Sequence, residues 1–506
     1  MPTRKSTTGK AGKAKENTDT PKTAGNDDNL IYVNGIDATT GNYLIPPMDE
    51  HDTAQIALNQ ATDKKTANML GNVVRKSTVK HLGGAFDLDL EDITQAGWAV
   101  VFHKDESAEV KKALGPLIEH RKKAIGNDDI VKVLEYRDGD TVVGWLARNK
   151  VGFGPVDPEK VPFYVLLVGG PDKIPFSFGQ LLDAVYAVGR LHFDDLSGYQ
   201  RYVDSLIRYE KEAKAPTGKD VVFWGPRNKN DRPTMLSSEY LIKPLALGAK
   251  SVIERASKSA KVAYKSKLIE PAGSTKENLL EVLNPGAGKL TPALLFTASH
   301  GIGWPNGHAS QLPAQGALLC QNFPGLGLGP LKPGHYLAAS DLAKDARVWG
   351  MVAFNFACYS VGTPDKDRFS YKPGTPPPDI APKPFFSALS KALLSHPNGS
   401  ALGVIGHVER AWQNSIMTEG VGQQIQAFEN SIGYILMGLP LGYALKDFNE
   451  RFAVQSANLT TEIDKANGGK PVPDRQLAQL WLERNDAEGY LLFGDPGACL
   501  RKDKLQ

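Results

Sequence analysis

The chain has 506 residues, 41% of them apolar and 23% charged, a globular composition that is too long for one small domain and rich enough in apolar side chains for a sizeable core. Its 59 Lys and Arg against 56 Asp and Glu leave a net charge of +3, which gives no general electrostatic reason to expect nucleic acid or an anionic membrane as partner. Only three cysteines occur, Cys320, Cys358 and Cys499, which argues against a disulfide framework and fits a reducing compartment. No stretch of 18 apolar residues is present, and the polar start of the chain lacks the apolar core of a secretory signal, so a cytoplasmic protein without a membrane span is expected.

Residues 1–28 are mostly Lys, Thr, Ala, Gly and Asp, with almost nothing to bury, and read as a disordered basic tail. Residues 29–151 carry weak signals, a strand over 98–102 and a helix over 105–124, and are expected to form an N-terminal accessory region with room for a regulatory partner. From 152 to 500 the pattern sharpens. Apolar runs at 163–168, 221–224, 293–298, 348–357, 401–406 and 490–493 read as buried strands. Between them, helices are expected over 199–214, 237–247, 385–395, 423–437 and 441–454, with a further strand near 263–269. Strands alternating with helices give an α/β fold, a mostly parallel sheet with helices on both faces.

In such sheets reactive groups sit beyond the carboxyl ends of the strands. The run at 293–298 ends in Ser299-His300-Gly301, and the run at 348–357 ends in Cys358. If the two strands are neighbours, imidazole and thiol emerge at the same edge. An imidazole can take the thiol proton and pass it to a departing amine, and the resulting thiolate is a nucleophile. The backbone amides of Gly301 and Cys358 would then serve as oxyanion donors, Gly301 leaving room for a close carbonyl. Each residue taken singly also reads as structural: a buried small cysteine, a histidine at a strand end.

Thr297-Ala298-Ser299-His300-Gly301 followed by Phe356-Ala357-Cys358 resembles the caspase–haemoglobinase fold of cysteine peptidases. The pair is separated by close to the roughly 50 residues typical of caspases. Cys358 is followed by Tyr359-Ser360 rather than the caspase pattern. The stretches Tyr164-Val165-Leu166-Leu167-Val168-Gly169, Ile174-Pro175-Phe176, Val188-Gly189-Arg190-Leu191, Tyr209-Glu210 and Leu492-Phe493-Gly494-Asp495-Pro496 are more similar to gingipain-like and CHAT-like proteins. That resemblance implies a caspase/gingipain-like peptidase region over 152–500 that hydrolyses protein or peptide substrates through a thioester and needs no cofactor or metal. It equally permits a scaffold or sensor module with a latent dyad, including one in bacterial defence.

Other constellations compete. His300, His308, Cys320 and His335 are zinc-ligand types without a compact spacing. Gly325, Gly327 and Gly329 form a glycine-rich turn that no Lys-Ser or Lys-Thr follows, so it is no phosphate loop. His407 ends another apolar run and reads as structural or as lining the same crevice. No Gly-x-Ser-x-Gly elbow supports a serine hydrolase. Asp365, Asp367 and Arg368 are either solvated loop charges or readers of a substrate side chain, and Trp304 and Trp412 either core or subsite. The Pro-rich loop over 372–378 is a candidate for self-processing. The substrate-binding residues cannot be named from the sequence.

Overall fold

Ten runs rich in Val, Leu, Phe and Tyr pair into one sheet in the computed structural model, which describes residues 30–59, 64–77, 88–152, 155–248, 250–369, 375–412, 416–418 and 422–506. The tail expected over 1–28 lies outside the described residues. The strands are β1 (Trp98–His103), β2 (Val131–Tyr136), β3 (Tyr164–Val168), β4 (Ala187–Leu191), β5 (Asp220–Trp224), β6 (Lys265–Ile269), β7 (Leu294–Ala298), β8 (Val352–Phe356), β9 (Gly403–His407) and β10 (Tyr490–Gly494). Their spatial order is β2-β1-β3-β4-β10-β9-β8-β7-β5-β6. Every neighbouring pair is parallel except β9 and β10. The sheet is therefore two parallel halves of opposite direction, joined at one antiparallel seam. Strands β3, β4, β7, β8, β9 and β10 are buried at every position, as strands covered on both faces must be.

The principal helices are α1 (Glu50–Asn59), α2 (Lys64–Ser77), α3 (Ala108–Ile125), α4 (Leu196–Lys211), α5 (Gln426–Met437), α6 (Lys446–Asn467) and α7 (Asp474–Gly489). Ser107 starts α3 by accepting from the Val110 amide, and Asp195 starts α4 by accepting from Gly198, as N-caps do. Helix α7 packs against both α1 and α6. There Trp481, Leu482, Leu459 and Ile56 join Val33, Ile45, Phe369 and Trp412 in a second core beside the main one. None of the helices among the described residues is long and apolar enough to cross a membrane.

Several elements differ from expectation. The strand expected over 348–357 is only Val352–Phe356, because Gly350 at φ +80° and a Met351-to-Val348 hydrogen bond turn the chain just before it. The helix expected over 237–247 starts at Arg232 and passes through a π-turn at Ser238–Ile242. The helix expected over 385–395 is preceded by a short strand, Phe385–Phe386, and runs from Ala388 to Leu394. Residues 29–151, expected as an accessory region, divide in two. Residues 98–136 supply β1 and β2 to the main sheet, whereas 30–48 run outside it as an extended strap.

A buried ion network ties α3, α4 and the end of β10 together. Arg121 donates to Glu210 and to Asp495 at 2.7–2.9 Å, and Trp98 Nε1 donates to Asp495 at 2.8 Å. Burial alone would raise the Glu210 carboxyl, but Arg121 and His120 hold it down at about 2. Arg121→Ala would leave Asp495 and Glu210 buried without their cation, so unfolding in urea should show a loss of about 3–5 kcal/mol. Because the Glu210 value is lowered by folding, its contribution is complete above the ordinary carboxylate range. It is lost as pH falls toward 2, and the wild-type protein should destabilise over that window more steeply than a Glu210→Gln variant.

Candidate active site

Strands β7 and β8 pair in register from Leu294 opposite Val352 to Ala298 opposite Phe356. His300 and Cys358 each lie two residues beyond that last pair. The ladder continues past it, with the Ser299 amide donating to the Phe356 carbonyl at 3.1 Å. The structure thus brings both residues to one carboxyl edge, and both are fully buried. Gly301, next in the chain after His300, packs against the Cys358 backbone. A Cβ there would come within 1.7 Å of the Cys358 carbonyl oxygen, which restricts the position to glycine.

The imidazole is held from both sides. His300 Nε2 lies 2.8 Å from Oδ2 of Asp231, which is itself fully buried at its side chain. Asp231 follows β5, the strand adjacent to β7, and caps the start of the Arg232–Ser237 helix. It also accepts from Tyr43 Oη at 2.7 Å and from Thr234 Oγ1 at 2.5 Å. Burial raises the Asp231 carboxyl, but the His300 charge and these donors outweigh it and hold the group below its usual range. Asp231 was not anticipated from the sequence. The available signal was an aspartate before Arg232-Pro233, a helix-start pattern in the loop after an apolar strand.

The other side of the imidazole meets the strap. The Gly35 amide donates to His300 Nδ1 at 2.7 Å, and the Cys358 thiol donates to the Asn34 carbonyl at 2.8 Å. A single peptide unit, Asn34–Gly35, therefore lies between thiol and imidazole. Among the described residues no hydrogen bond joins the two directly. The strap is pinned on either side of this point. Val33 bridges Trp412 in antiparallel fashion and the Asn34 amide donates to Ala411 at 3.3 Å. Ile36–Asp37 pairs in parallel with Ile302–Gly303. Beyond it the chain turns at Asp37–Asn42 and meets the glycine-rich turn, where Gly327 donates to the Gly41 carbonyl at 3.2 Å. Gly35 has φ +116°, and a Cβ on it would come within 2.5 Å of Leu44 and 3.3 Å of the Cys358 sulfur, so only glycine fits there.

Burial pushes the Cys358 thiol up to about 12, against the smaller opposing effects of the Ala411 amide, the Arg410 charge and the Gly301 amide. The floor beneath it is ionic. Arg410 pairs with both oxygens of Asp367 at 2.7–2.8 Å, and Arg368 reaches Glu409 and Glu488. Asp367 and Arg368 are therefore engaged in this network and are not solvated loop charges. Tyr359 (φ 56°) and Glu409 (φ 71°) are both left-handed, and the Tyr359 amide donates to the Glu409 carbonyl at 2.6 Å. Such backbone is costly for residues with a Cβ and concentrates at functional sites.

The remaining candidates disperse. His308 stacks on Trp304 at 4.9 Å, Cys320 is buried against the Leu318 carbonyl, and the His335 ring accepts from the Lys332 amide. These residues do not gather with His300 into a metal-ligand set among the described residues. His407 is buried against Gly489 and Tyr490, 3.3 Å from Asp486, which is a structural position. Trp412 packs against Phe369 and Trp481. Part of the Pro-rich loop, residues 370–374, lies outside the described residues.

No protein-family model matches the chain, and no curated protein sequence matches it. Among solved structures, the chain is similar to one described as a protease, with 11% identity over 80% of this chain and 78% of that one and a TM-score of 0.42. It is also similar to a complex of the pro- and mature domains of Porphyromonas gingivalis RgpB, with 15% identity, 80% of each chain covered and a TM-score of 0.39.

The burial of the thiol makes a direct prediction for labelling. Burial pushes both thiols up, Cys358 to about 12 and Cys499 to about 11, but Cys358 is fully covered whereas Cys499 is partly exposed. Iodoacetamide on the native chain should modify Cys499 first and Cys358 at least about tenfold more slowly. Peptide mapping by mass spectrometry reads the order.

Proposed function

We propose that the protein is a cysteine endopeptidase of the caspase/gingipain-like kind, with Cys358 as nucleophile and His300 as acid–base. Asp231 orients the imidazole, and the amides of Gly301 and Cys358 serve the oxyanion. The observation that carries this reading is the peptide unit between the two side chains. Its carbonyl oxygen accepts from the thiol and its N–H donates to Nδ1 of His300, so one peptide bond stands within reach of both groups that the reaction needs. The antiparallel bridge from Val33 to Trp412 supports it further, because an extended peptide laid along a strand edge is a common mode of peptide recognition.

In this scheme the thiol proton passes to Nδ1 of His300, the sulfur adds to the carbonyl carbon, and the proton moves on to the leaving nitrogen. Water then releases the acyl group from sulfur. Asp231 keeps Nε2 facing away from the substrate, so that Nδ1 is the nitrogen free to exchange the proton.

A second reading, a scaffold or sensor with a latent dyad, is favoured by the complete burial of the thiol under the strap. The two part on cleavage of a diverse peptide library. The peptidase reading expects defined cut sites that vanish with Cys358→Ala and fall by at least about 10³-fold with His300→Ala. Asp231→Asn should lower kcat by about 10²-fold while leaving KM nearly unchanged. Cleavage undiminished by Cys358→Ala, or none from any form of the chain, would remove the peptidase assignment.

A further inference from the structure

The strap is bound as a substrate would be, and its sequence at the dyad is specific. Asn34 is 3% exposed, and its Oδ1 is buried without a hydrogen-bond partner among the described residues. The enclosed position is thus filled by a short amide side chain. On its far side Gly35 takes a φ that only glycine adopts readily, with the sulfur in van der Waals reach of where a Cβ would stand. Downstream, Ile36 and Ala38 are buried in a separate small core with Ile302, Leu319 and Leu331, and Tyr43 is tied to Asp231. Upstream, the attachments include the Ile31–Met48 pair, the Val33–Trp412 bridge, the Asn34–Ala411 hydrogen bond and the Tyr32–Tyr43 ring contact.

We propose that the Asn34–Gly35 bond is the protein's own cleavage site, cut intramolecularly by Cys358 and His300, and that the pocket holding Asn34 prefers asparagine before the scissile bond. This rests on the peptidase reading above and names a substrate for the same site. The Cys358 sulfur, its proton given to Nδ1 of His300, adds to the Asn34 carbonyl carbon. The bond to the Gly35 nitrogen breaks as that proton is delivered to it, leaving an Asn34 thioester and a free Gly35 amine. Water hydrolyses the thioester to the Asn34 carboxylate and regenerates the thiol. Among the described residues, those up to Asn34 then keep the Ile31–Met48 pair, the Val33–Trp412 bridge, the Asn34–Ala411 hydrogen bond and the packing of Tyr32 and Val33, but no longer the covalent link to the segment from Gly35. Their departure uncovers the thiol and the edge at Ala411–Trp412 for another extended chain.

The test follows the purified full-length chain over time by intact mass and amino-terminal sequencing, beside Cys358→Ala, Asn34→Gln and Asn34→Asp, with the peptide library as a parallel assay. The wild type should acquire a new terminus at Gly35, at a rate unchanged by tenfold dilution, and Cys358→Ala should stay whole. Asn34→Gln adds one methylene to an enclosed site and Asn34→Asp places a charge where no partner was found, so each should slow scission at least tenfold. Circular dichroism checks that both variants fold. A peptide spanning residues 30–40 should be split between Asn34 and Gly35 by the processed enzyme but not by Cys358→Ala. Scission of wild type and Cys358→Ala at equal rates would overturn the proposal, since an asparagine carboxamide can attack its own carbonyl without any thiol. Library peptides cut while the chain stays whole at Asn34, or is cut only elsewhere, would overturn self-cleavage and leave the peptidase reading standing. A wild type that cuts neither itself nor any peptide would overturn both.

Discussion

The in-register parallel pairing of β7 with β8 is the constraint from which the rest of the site follows. With Ala298 opposite Phe356, residues an equal number of steps onward must leave the sheet side by side, and those residues are His300 and Cys358. The neighbouring strands complete the row. Strand β5, beside β7, leads to Asp231, and β9, beside β8, leads to Ala411 and Trp412. The edge that holds the strap, the thiol, the imidazole and the carboxylate thus stand in the order of the strands that deliver them. The same register explains Gly301. Once His300 and Cys358 are abreast, the next residue runs into the Cys358 carbonyl unless it lacks a side chain.

The strap makes chemical sense of groups that would otherwise be poorly placed. At the fully buried Cys358, desolvation outweighs the nearby amides and the Arg410 charge, so the thiol is neutral at physiological pH. Its proton has a destination in the Asn34 carbonyl, and the imidazole lone pair has one in the Gly35 amide. One peptide unit satisfies the thiol proton and Nδ1, while Asp231 satisfies Nε2, as buried polar groups require. The arrangement is held by apolar packing on both sides, Val33 and Ile45 in one core and Ile36 and Ala38 in another. The occupied dyad is therefore a stable state of the fold.

What could be read in advance follows the range of the forces involved. Strands β3, β5, β7, β9 and β10 announce themselves because a strand covered on both faces must be apolar throughout, and the edge residues His300 and Cys358 follow from where those runs stop. Strand β2 does not, since it alternates buried and exposed positions beside half-exposed charge, and β4 does not, since Gly189 and the buried Arg190 interrupt its apolar character. Two nitrogens of the Arg190 guanidinium donate to the carbonyls of Pro175 and Ile174, contacts invisible from composition. The strap was missed for a different reason. It makes isolated bridges and hydrogen bonds to partners as far along the chain as Trp412, so no local periodicity marks it. Asp231 sits in a polar run between Asn228 and Arg232 that reads as a turn, and only the adjacency of β5 and β7 gives it a role.

The central position of β10 has a consequence for how the molecule is made. The two parallel halves are hydrogen-bonded to each other only through this strand, which comes last in chain order of the ten. During synthesis at about 5–20 residues per second, β9 is complete several seconds before β10 is available. Through that interval the dyad half can assemble, but β9 presents a bare edge of unpaired amides and carbonyls, the kind of surface that recruits other chains. Helices α5, α6 and α7 are all made within the same interval and lead directly into β10. The chain from 446 to 489 thus links the bare edge of β9 to the strand that covers it, and walls the finished core.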